Sequence, residues 1–248
     1  MLGRLLNLFR RDRTLETSIS LAGADMHAHW LPGIDDGAPD MDETLRMIRK
    51  LADLGVSRLI ASPHVMVDFY PNSKETILVK LEEVRAAVSA AGLSIKLDTA
   101  AEYLIDEGFT DLLDRGELLT FGGKRVLVEL SFVAPPPGLH EIFFQLLTKG
   151  YQPVLAHPER YRYYHEQPNE LRAIHDKGVE FQVNLLSLAG HYGQSVRDAA
   201  ERLWRDRQIS FWGTDAHRME HLHKIEALLR QPEFTEKFAR YRWENASI

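Results

Sequence analysis

Apolar, β-rich runs alternate along the chain with segments whose apolar residues recur at a helical period, the pattern of repeated βα units around a parallel sheet. Seven strands are predicted: Ala24 to His27, Ser57 to Ser62, Ser94 to Glu102, Arg125 to Leu130, Gln152 to Ala156, Glu180 to Leu185 and Gln208 to Gly213. Helices are predicted between them at about 41–54, 74–91, 139–149, 169–177, 194–207 and 219–230. Gly55, Gly92, Gly150 and Gly178 each follow a helical run, where a C-terminal cap wants a left-handed residue. No low-complexity or Pro/Ser-rich linker divides the chain, and Pro135-Pro136-Pro137-Gly138 reads as a rigid loop between strand and helix. The economical organisation is one domain over residues 23–248, preceded by an extension of residues 1–22.

With 248 residues, 44% of them hydrophobic, the chain can bury a large core. A net charge of −6 leaves no overall basic footprint, so nucleic acid is not an expected partner. The absence of cysteine excludes disulfides, thiolate metal ligands and a cysteine nucleophile, and leaves catalysis to His, carboxylate, hydroxyl or metal chemistry. No apolar run approaches the roughly 18–20 residues of a membrane span, and the N-terminus lacks the long apolar stretch and cleavage site of a signal peptide. A cytoplasmic protein without a transmembrane segment is expected. Leu2, Leu5, Leu6, Leu8 and Phe9 stand beside Arg4, Arg10, Arg11 and Arg13. They fit either a basic amphipathic helix on anionic lipid, peripheral at the inner membrane face, or a frayed or packed helix.

The chemistry gathers where strands hand over to loops. His27 and His29 end the first strand, His64 follows the second, then come Glu102, Glu129, His157, and finally Asp215 and His217. Only the strand from Glu180 to Leu185 ends without a metal-type ligand. In a β/α barrel those ends converge on one face, so residues distant in sequence become neighbours. A lone His at a strand end is usually a hydrogen-bonded structural group, and a lone Glu a solvated charge. Repetition at one end of successive strands is the stronger signal. Glu102 and Glu129 close apolar runs, and a carboxylate buried there needs a partner. His27-Ala28-His29 sends both imidazoles to one side of an extended segment. Asp215-Ala216-His217 repeats the spacing with a carboxylate and an imidazole, and Arg160 of His157-Pro158-Glu159-Arg160 offers a fork for phosphate oxygens.

DMHAHWLPGIDDGAPD, IASPH, AAEYL, LVELS, AHPERY, FQVNLLSLAGHYG and GTDAH, spanning Asp25 to His217, together resemble the polymerase and histidinol phosphatase superfamily, specifically its bacterial manganese-dependent tyrosine phosphatases of capsule and exopolysaccharide synthesis. The resemblance implies an α/β fold, a single-domain distorted TIM-like (β/α)7 barrel, holding three divalent metal ions. His27, His29, Glu102 and Asp215 would hold the first, and Glu102 would bridge to a second alongside Glu129 and His157. His64 and His217 would hold the third, with Asp36. Arg160 would contact phosphate, and Arg160, Asp215 and Glu102 would be the catalytic residues. Related enzymes carry a further phosphate-binding arginine several residues beyond the Asp-x-His pair, whereas here Arg218 follows His217 at once. Arg218 and His191 are the remaining expected substrate contacts, His191 having a structural role as its alternative. Asp25 is expected to orient a ligating histidine, and His165, His175, His221 and His223 are expected at the surface.

A phosphotyrosine ester needs a nucleophile, charge neutralisation and help for the departing phenolate, and metal ions serve all three. Phenolate, with a pKa of about 10, leaves more readily than an alkoxide. Imidazole and carboxylate ligands suit manganese, iron or zinc; Mn²⁺ is the expectation the resemblance carries. It also implies the partner: a phosphotyrosine protein, a membrane-associated, autophosphorylating bacterial tyrosine kinase. Lys74, Arg162 and Arg218 are candidate cations at the rim. The alternatives are a small-molecule phosphomonoesterase of the histidinol phosphatase kind and an inactive barrel kept as a binding module, and the complete ligand set argues against the latter.

Overall fold

The computed structural model describes Leu21 and residues 23–248, so the basic amphipathic stretch expected within residues 1–22 lies outside the described residues. Strand and helix then alternate: β1 (Ala24–Ala28), α1 (Met41–Asp53), β2 (Arg58–Ala61), β3 (His64–Val65), α2 (Lys74–Ala90), β4 (Lys96–Thr99), β5 (Glu102–Leu104), α3 (Phe109–Arg115), β6 (Arg125–Glu129) and α4 (Leu139–Thr148). The second half continues with β7 (Gln152–Ala156), α5 (Pro168–Asp176), β8 (Glu180–Asn184), α6 (Leu185–Leu188), α7 (Gln194–Arg205), β9 (Phe211–Gly213), α8 (Met219–Leu229) and α9 (Pro232–Ala239). Every strand pairing is parallel, in the orders β1-β2-β4 and β3-β5-β6-β7-β8-β9.

Two of the predicted strands are each broken in two. Ala61 pairs with Thr99 and His64 with Glu102, so the break at Ser62-Pro63 lies directly opposite the break at Ala100-Ala101. Pro63 has no amide hydrogen to give. Its carbonyl instead accepts from the Glu102 amide at 3.0 Å, and the Ala61 carbonyl accepts from the Ala100 amide at 2.8 Å, which carries the ladder across the break. The last strand returns to the first: the Asp215 amide donates to the His27 carbonyl at 2.7 Å and the His29 amide to the Ala216 carbonyl at 3.0 Å. The parallel sheet is therefore strongly curled, as in a distorted barrel.

Side-chain alternation separates the inside of the curl from the outside. Met26, Ile60, Leu127, Val154 and Phe211 form a small cluster of their own with Phe121, while Val126, Val128, Leu155, Phe181, Val183 and Trp212 join the larger core shared with the helices. Apolar cover on both faces explains why these strands read as nearly unbroken apolar runs. On β6 the inner face passes from Leu127 to Glu129, from packing to chemistry within one alternation. Gly55, Gly92, Gly150 and Gly178 do adopt positive φ, at 89°, 67°, 80° and 94°. The helices α3, α6 and α9 were not among the predicted ones, and each is too short to display a helical repeat: α3, for instance, buries only Phe109 and Leu113. Among the described residues no helix is long and apolar enough to cross a membrane.

The seam between first and last strands is held from below by Asn245, which is fully buried. Its Oδ1 accepts from the Trp212 amide at 3.0 Å, and its Nδ2 donates to the carbonyls of Ala24 and Trp212, both at 2.8 Å. Gly23 passes so close that a Cβ there would stand 2.8 Å from the Asn245 carbonyl oxygen. Asn245→Ala strands three buried main-chain groups, so it is expected to cost about 2–4 kcal/mol and lower Tm by roughly 5–15 °C in a circular-dichroism melt. An unchanged Tm would mean that the seam does not depend on this side chain.

Candidate metal centre and active site

The strand ends bring the expected ligands together. His27 lies at the end of β1, His64 and Glu102 open β3 and β5, Glu129 closes β6, His157 follows β7, and Asp215 and His217 follow β9. His27, His29, His64, Glu102, Glu129, His157 and Asp215 are buried, His217 is half-buried and Asp36 is exposed.

The protonation of His27 and His29 is set from behind. Gln182 Oε1 accepts from the main-chain N–H of His157 at 3.2 Å, which identifies it as the oxygen, so the His27 Nδ1 at 2.9 Å must donate to it. His29 Nδ1 likewise donates to Asp35 Oδ2 at 2.8 Å. Burial acts to protonate Asp35, but His29 outweighs it and holds the carboxyl below the usual range. Each ring therefore presents its Nε2 to the centre. The two Nε2 atoms stand 3.3 Å apart. Glu102 Oε2 lies 3.2 Å from that of His27 and 3.5 Å from that of His29, and Asp215 Oδ1 lies 3.4 and 3.3 Å from them. These acceptors have no donor among them, and only a cation, a proton or a metal ion, reconciles them.

Beside this corner, His157 Nε2 is 3.1 Å from Glu102 Oε1 and 3.5 Å from Glu129 Oε1. His64 Nδ1 approaches Glu102 Oε2 to 3.1 Å and Glu129 Oε2 to 3.9 Å. Yet His64 Nδ1 and Glu102 Oε2, both buried, have no hydrogen-bond partner among the described residues: they are close but not aligned. The Nε2 atoms of His64 and His217 each lie 3.5 Å from Asp36 Oδ1, and His29 and His217 stack with centroids 4.0 Å apart. Burial drives both His64 and His157 down to about 4, so both rings are neutral. Burial pushes Glu129 well above the usual carboxylate range, and Glu102 pushes it further. Burial opposes the charge on Glu102 too, but His27 and His64 hold that carboxyl well below its usual range.

Unaligned buried acceptors, neutral imidazoles and crowded carboxylates are the donor set that divalent cations complete, and the residues present fit such ions. Four groups bring one ligand atom per residue to within 4.8 Å of one another: His29, Asp36, His64 and His217; His27, His29 and Glu102; His27, His157 and Asp215; and His64, Glu102 and Glu129. The arrangement is more shared than the sequence implied, because His64 faces Glu102 and Glu129 as well as Asp36.

Several residues that position this cluster were missed in the sequence. β8 carries no ligand, but its inner face holds Gln182 behind His27 and Asn184, whose Nδ2 donates to Asp215 Oδ2 at 2.6 Å. Polar residues spaced by two within the apolar run Phe181-Gln182-Val183-Asn184 were the available signal. Asp35 does for His29 what was expected of Asp25. Asp25 touches no imidazole: it accepts from the Thr214 hydroxyl at 2.5 Å, the Thr214 amide at 3.1 Å and the His27 amide at 3.3 Å. It thus fastens the main chains of the first and last strands, and burial raises its pKa to about 6. His157 and Asp215 adopt φ of 33° and 48°, a left-handed conformation costing on the order of 1–3 kcal/mol for a non-glycine residue. Tertiary contacts impose it, and it turns both side chains in from the strand ends.

The cluster floors a cleft of about 320 Å³. Arg160 Nη1 donates to Asp215 Oδ2 at 2.9 Å. Its guanidinium carbon lies 4.7 Å from the Phe132 ring centre and 4.3 Å from that of Tyr192, so a cation stands between two aromatic faces at the site. Arg218 and His191 both line the cleft; Arg218 is exposed, and His191 Nδ1 meets Lys224 Nζ at 3.0 Å. Lys74 and Arg162 are exposed and do not line it. His221, expected at the surface, is buried at the cleft wall, where its Nδ1 accepts from the His217 amide at 3.2 Å. The first turn of α8 tucks it beneath the rim. His165 and His175 are half-buried and His223 is exposed.

A family model described as capsular polysaccharide synthesis, CpsB/CapC, matches residues 23–238. Tyrosine-protein phosphatase YwqE of Bacillus subtilis (strain 168) is 31% identical over 228 residues, which is 90% of each chain. Putative tyrosine-protein phosphatase CapC of Staphylococcus aureus is 26% identical over 194 residues, 78% of this chain and 76% of that one. A solved chain from work on YwqE of Bacillus subtilis and CpsB of Streptococcus pneumoniae, there called unique metal-dependent tyrosine phosphatases, superposes with a TM-score of 0.77 at 30% identity, over 86% of this chain and 87% of that one. The family match spans all of the strand ends that carry this cluster, and the chain is a member of the CpsB/CapC family of capsular polysaccharide synthesis.

Proposed function

We propose that this chain is a metal-dependent protein-tyrosine phosphatase acting on a membrane-associated bacterial tyrosine kinase that controls capsule or exopolysaccharide synthesis. The observation that carries the reading is the convergence of two Nε2 atoms and two carboxylate oxygens on one point, beside an arginine held ready for phosphate. Bound there, divalent ions, three in number and Mn²⁺ before Fe or Zn, would supply a nucleophile from water at neutral pH and neutralise phosphoryl charge.

In this reading His27, His29, Glu102 and Asp215 hold the first ion, Glu102 is shared with Glu129 and His157 at a second, and His64, His217 and Asp36 hold a third. Arg160, restrained by Asp215, forks onto the phosphate oxygens. Phe132 and Tyr192 limit its swing, and His191 and Arg218 meet the substrate farther out. In this reading β2 with β3 and β4 with β5 count as single strands of a distorted (β/α)7 barrel over residues 23–248, with residues 1–22 as an extension. A cytoplasmic enzyme, peripheral at the inner membrane face, follows from the identity of the substrate. The aromatic cleft walls favour an aryl ester over a histidinol phosphate.

Protein loaded with Mn²⁺ is expected to hydrolyse a phosphotyrosine peptide faster than histidinol phosphate, and His27→Ala with His29→Ala is expected to abolish turnover. Metal-replete protein inert toward every aryl phosphate would sink the proposal. Arg160→Lys keeps the charge but loses the fork, so kcat/KM should fall roughly a hundredfold in steady-state assays; a wild-type value would remove Arg160 from phosphate binding. Asp35→Asn removes the acceptor behind His29 and is expected to weaken metal binding by about 10–100-fold in a chelator competition titration. Unaltered affinity would leave Asp35 without a part in the centre.

A further inference from the structure

A second concavity adjoins the catalytic cleft. It is a groove of about 240 Å³ between the Met66–Tyr70 turn and α3, walled by Val65, Val67, Leu104, Phe109 and Leu112. Met66 lines both the groove and the cleft, so the two adjoin across this one side chain. The turn is a built feature. Met66 and Tyr70 exchange main-chain hydrogen bonds at 3.0 Å, the Val67 amide donates to Asp106 Oδ2 at 2.8 Å, and Asn72 Nδ2 donates to the carbonyls of Ile34 and His64, both at 2.8 Å. Its ends, Met66 and Tyr70, face the cleft, while at its tip Val67 is 47% and Phe69 74% exposed. Gly108 forms part of the groove, and a Cβ there would overlap Val67 Cγ2. Its φ of −86° is open to any residue, so it is the close approach of Val67 that calls for glycine. Among the described residues, the exposed large apolar side chains all fall on two stretches, Val67, Phe69, Leu78 and Val79 on one and Phe132, Val133 and Phe144 on the other. Each stretch begins at a cleft-lining loop, at Met66 and at Phe132. Of these, Phe132 lines the cleft and Val67 the groove beside it, and apolar side chains left in water at such a rim mark a surface that is covered in use.

We propose that this groove is an exosite for the polypeptide that carries the phosphotyrosine, and that it takes an apolar side chain from the segment flanking that residue. The proposal rests on the phosphatase reading. With the phosphate at the metal centre, the flanking chain leaves the cleft over Met66 and lays an apolar side chain between Val67 and Leu112. Substrate choice then depends on sequence near the phosphotyrosine, and small aryl phosphates gain nothing from the groove.

The test compares metal-loaded wild type with Val67→Asp and Gly108→Ala on two substrates. One is a phosphotyrosine peptide set in which leucine is moved along otherwise Ser-rich flanks, and the other is p-nitrophenyl phosphate, which is too small to reach the groove. Burying one aliphatic side chain predicts an increase in peptide KM of about tenfold in Val67→Asp, confined to peptides whose leucine reaches the groove, with a smaller increase in Gly108→Ala. Turnover of p-nitrophenyl phosphate should stay at the wild-type value in both variants. Equal losses on both substrates, or no loss on any peptide, would overturn the exosite while leaving the phosphatase reading intact. A change in mass by light scattering would overturn it by assigning the surface to contact between copies of the chain. Wild-type protein inert on both substrates would instead overturn the phosphatase reading, and the exosite with it.

Discussion

Negative charge crowded into a dry space is the constraint on which the rest of this structure depends. Glu102 is fully buried and Glu129 and Asp215 nearly so, and Glu102 meets four imidazoles within 3.5 Å. Carboxylates in such a place are costly unless cations and fixed hydrogen bonds answer them. The fold supplies the fixed part. Gln182 and Asp35 hold the His27 and His29 rings so that Nε2 faces inward, and Asn184 and Arg160 occupy the outer oxygen of Asp215. What remains unanswered, including the buried His64 Nδ1 and Glu102 Oε2, which have no partner among the described residues, has the chemistry of a metal-binding site.

The curl of the sheet exists around that cluster, and local conformation is spent to maintain it. Asp25 and Thr214 fasten the first strand to the last near the cluster, while Asn245 closes the same seam below. His157 and Asp215 accept left-handed backbone where the chain must turn inward. Strain of that kind persists only where the surroundings over-determine it, and here the surroundings are the cluster itself. The cleft above it is walled by Arg160 between Phe132 and Tyr192, a combination of fixed cation and aromatic faces that suits an anionic aryl ester.

Most of the architecture was legible in the sequence because a parallel sheet covered on both faces writes its strands as apolar runs. β7 is found where the pattern puts it, from Gln152 to Ala156, and the glycine stops mark true helix ends. Two kinds of feature were not legible. The breaks at Ser62-Pro63 and Ala100-Ala101 arise because the two strands must accommodate each other at the same level, and only Pro63 announces this locally. His221 gave no sign of burial, because its place follows from where α8 docks and not from any repeat around it.

At the centre itself, the sequence alone determined which residues gather at one face, since His27, His29, His64, Glu102, Glu129, His157, Asp215 and His217 stand at strand ends and parallel strands bring such ends together. Tertiary structure alone decided how those residues are held. Gln182 reaches His27 across 155 positions, and Asn184 and Arg160 reach Asp215 across 31 and 55. A hydrogen-bond partner is chosen by closure of the sheet, so no local pattern names it. Asp35, only six residues from His29, shows the same limit at short range: it and Asp25 both neighbour the histidine pair, and the turn through Gly37, not the spacing, selects which carboxylate meets the ring.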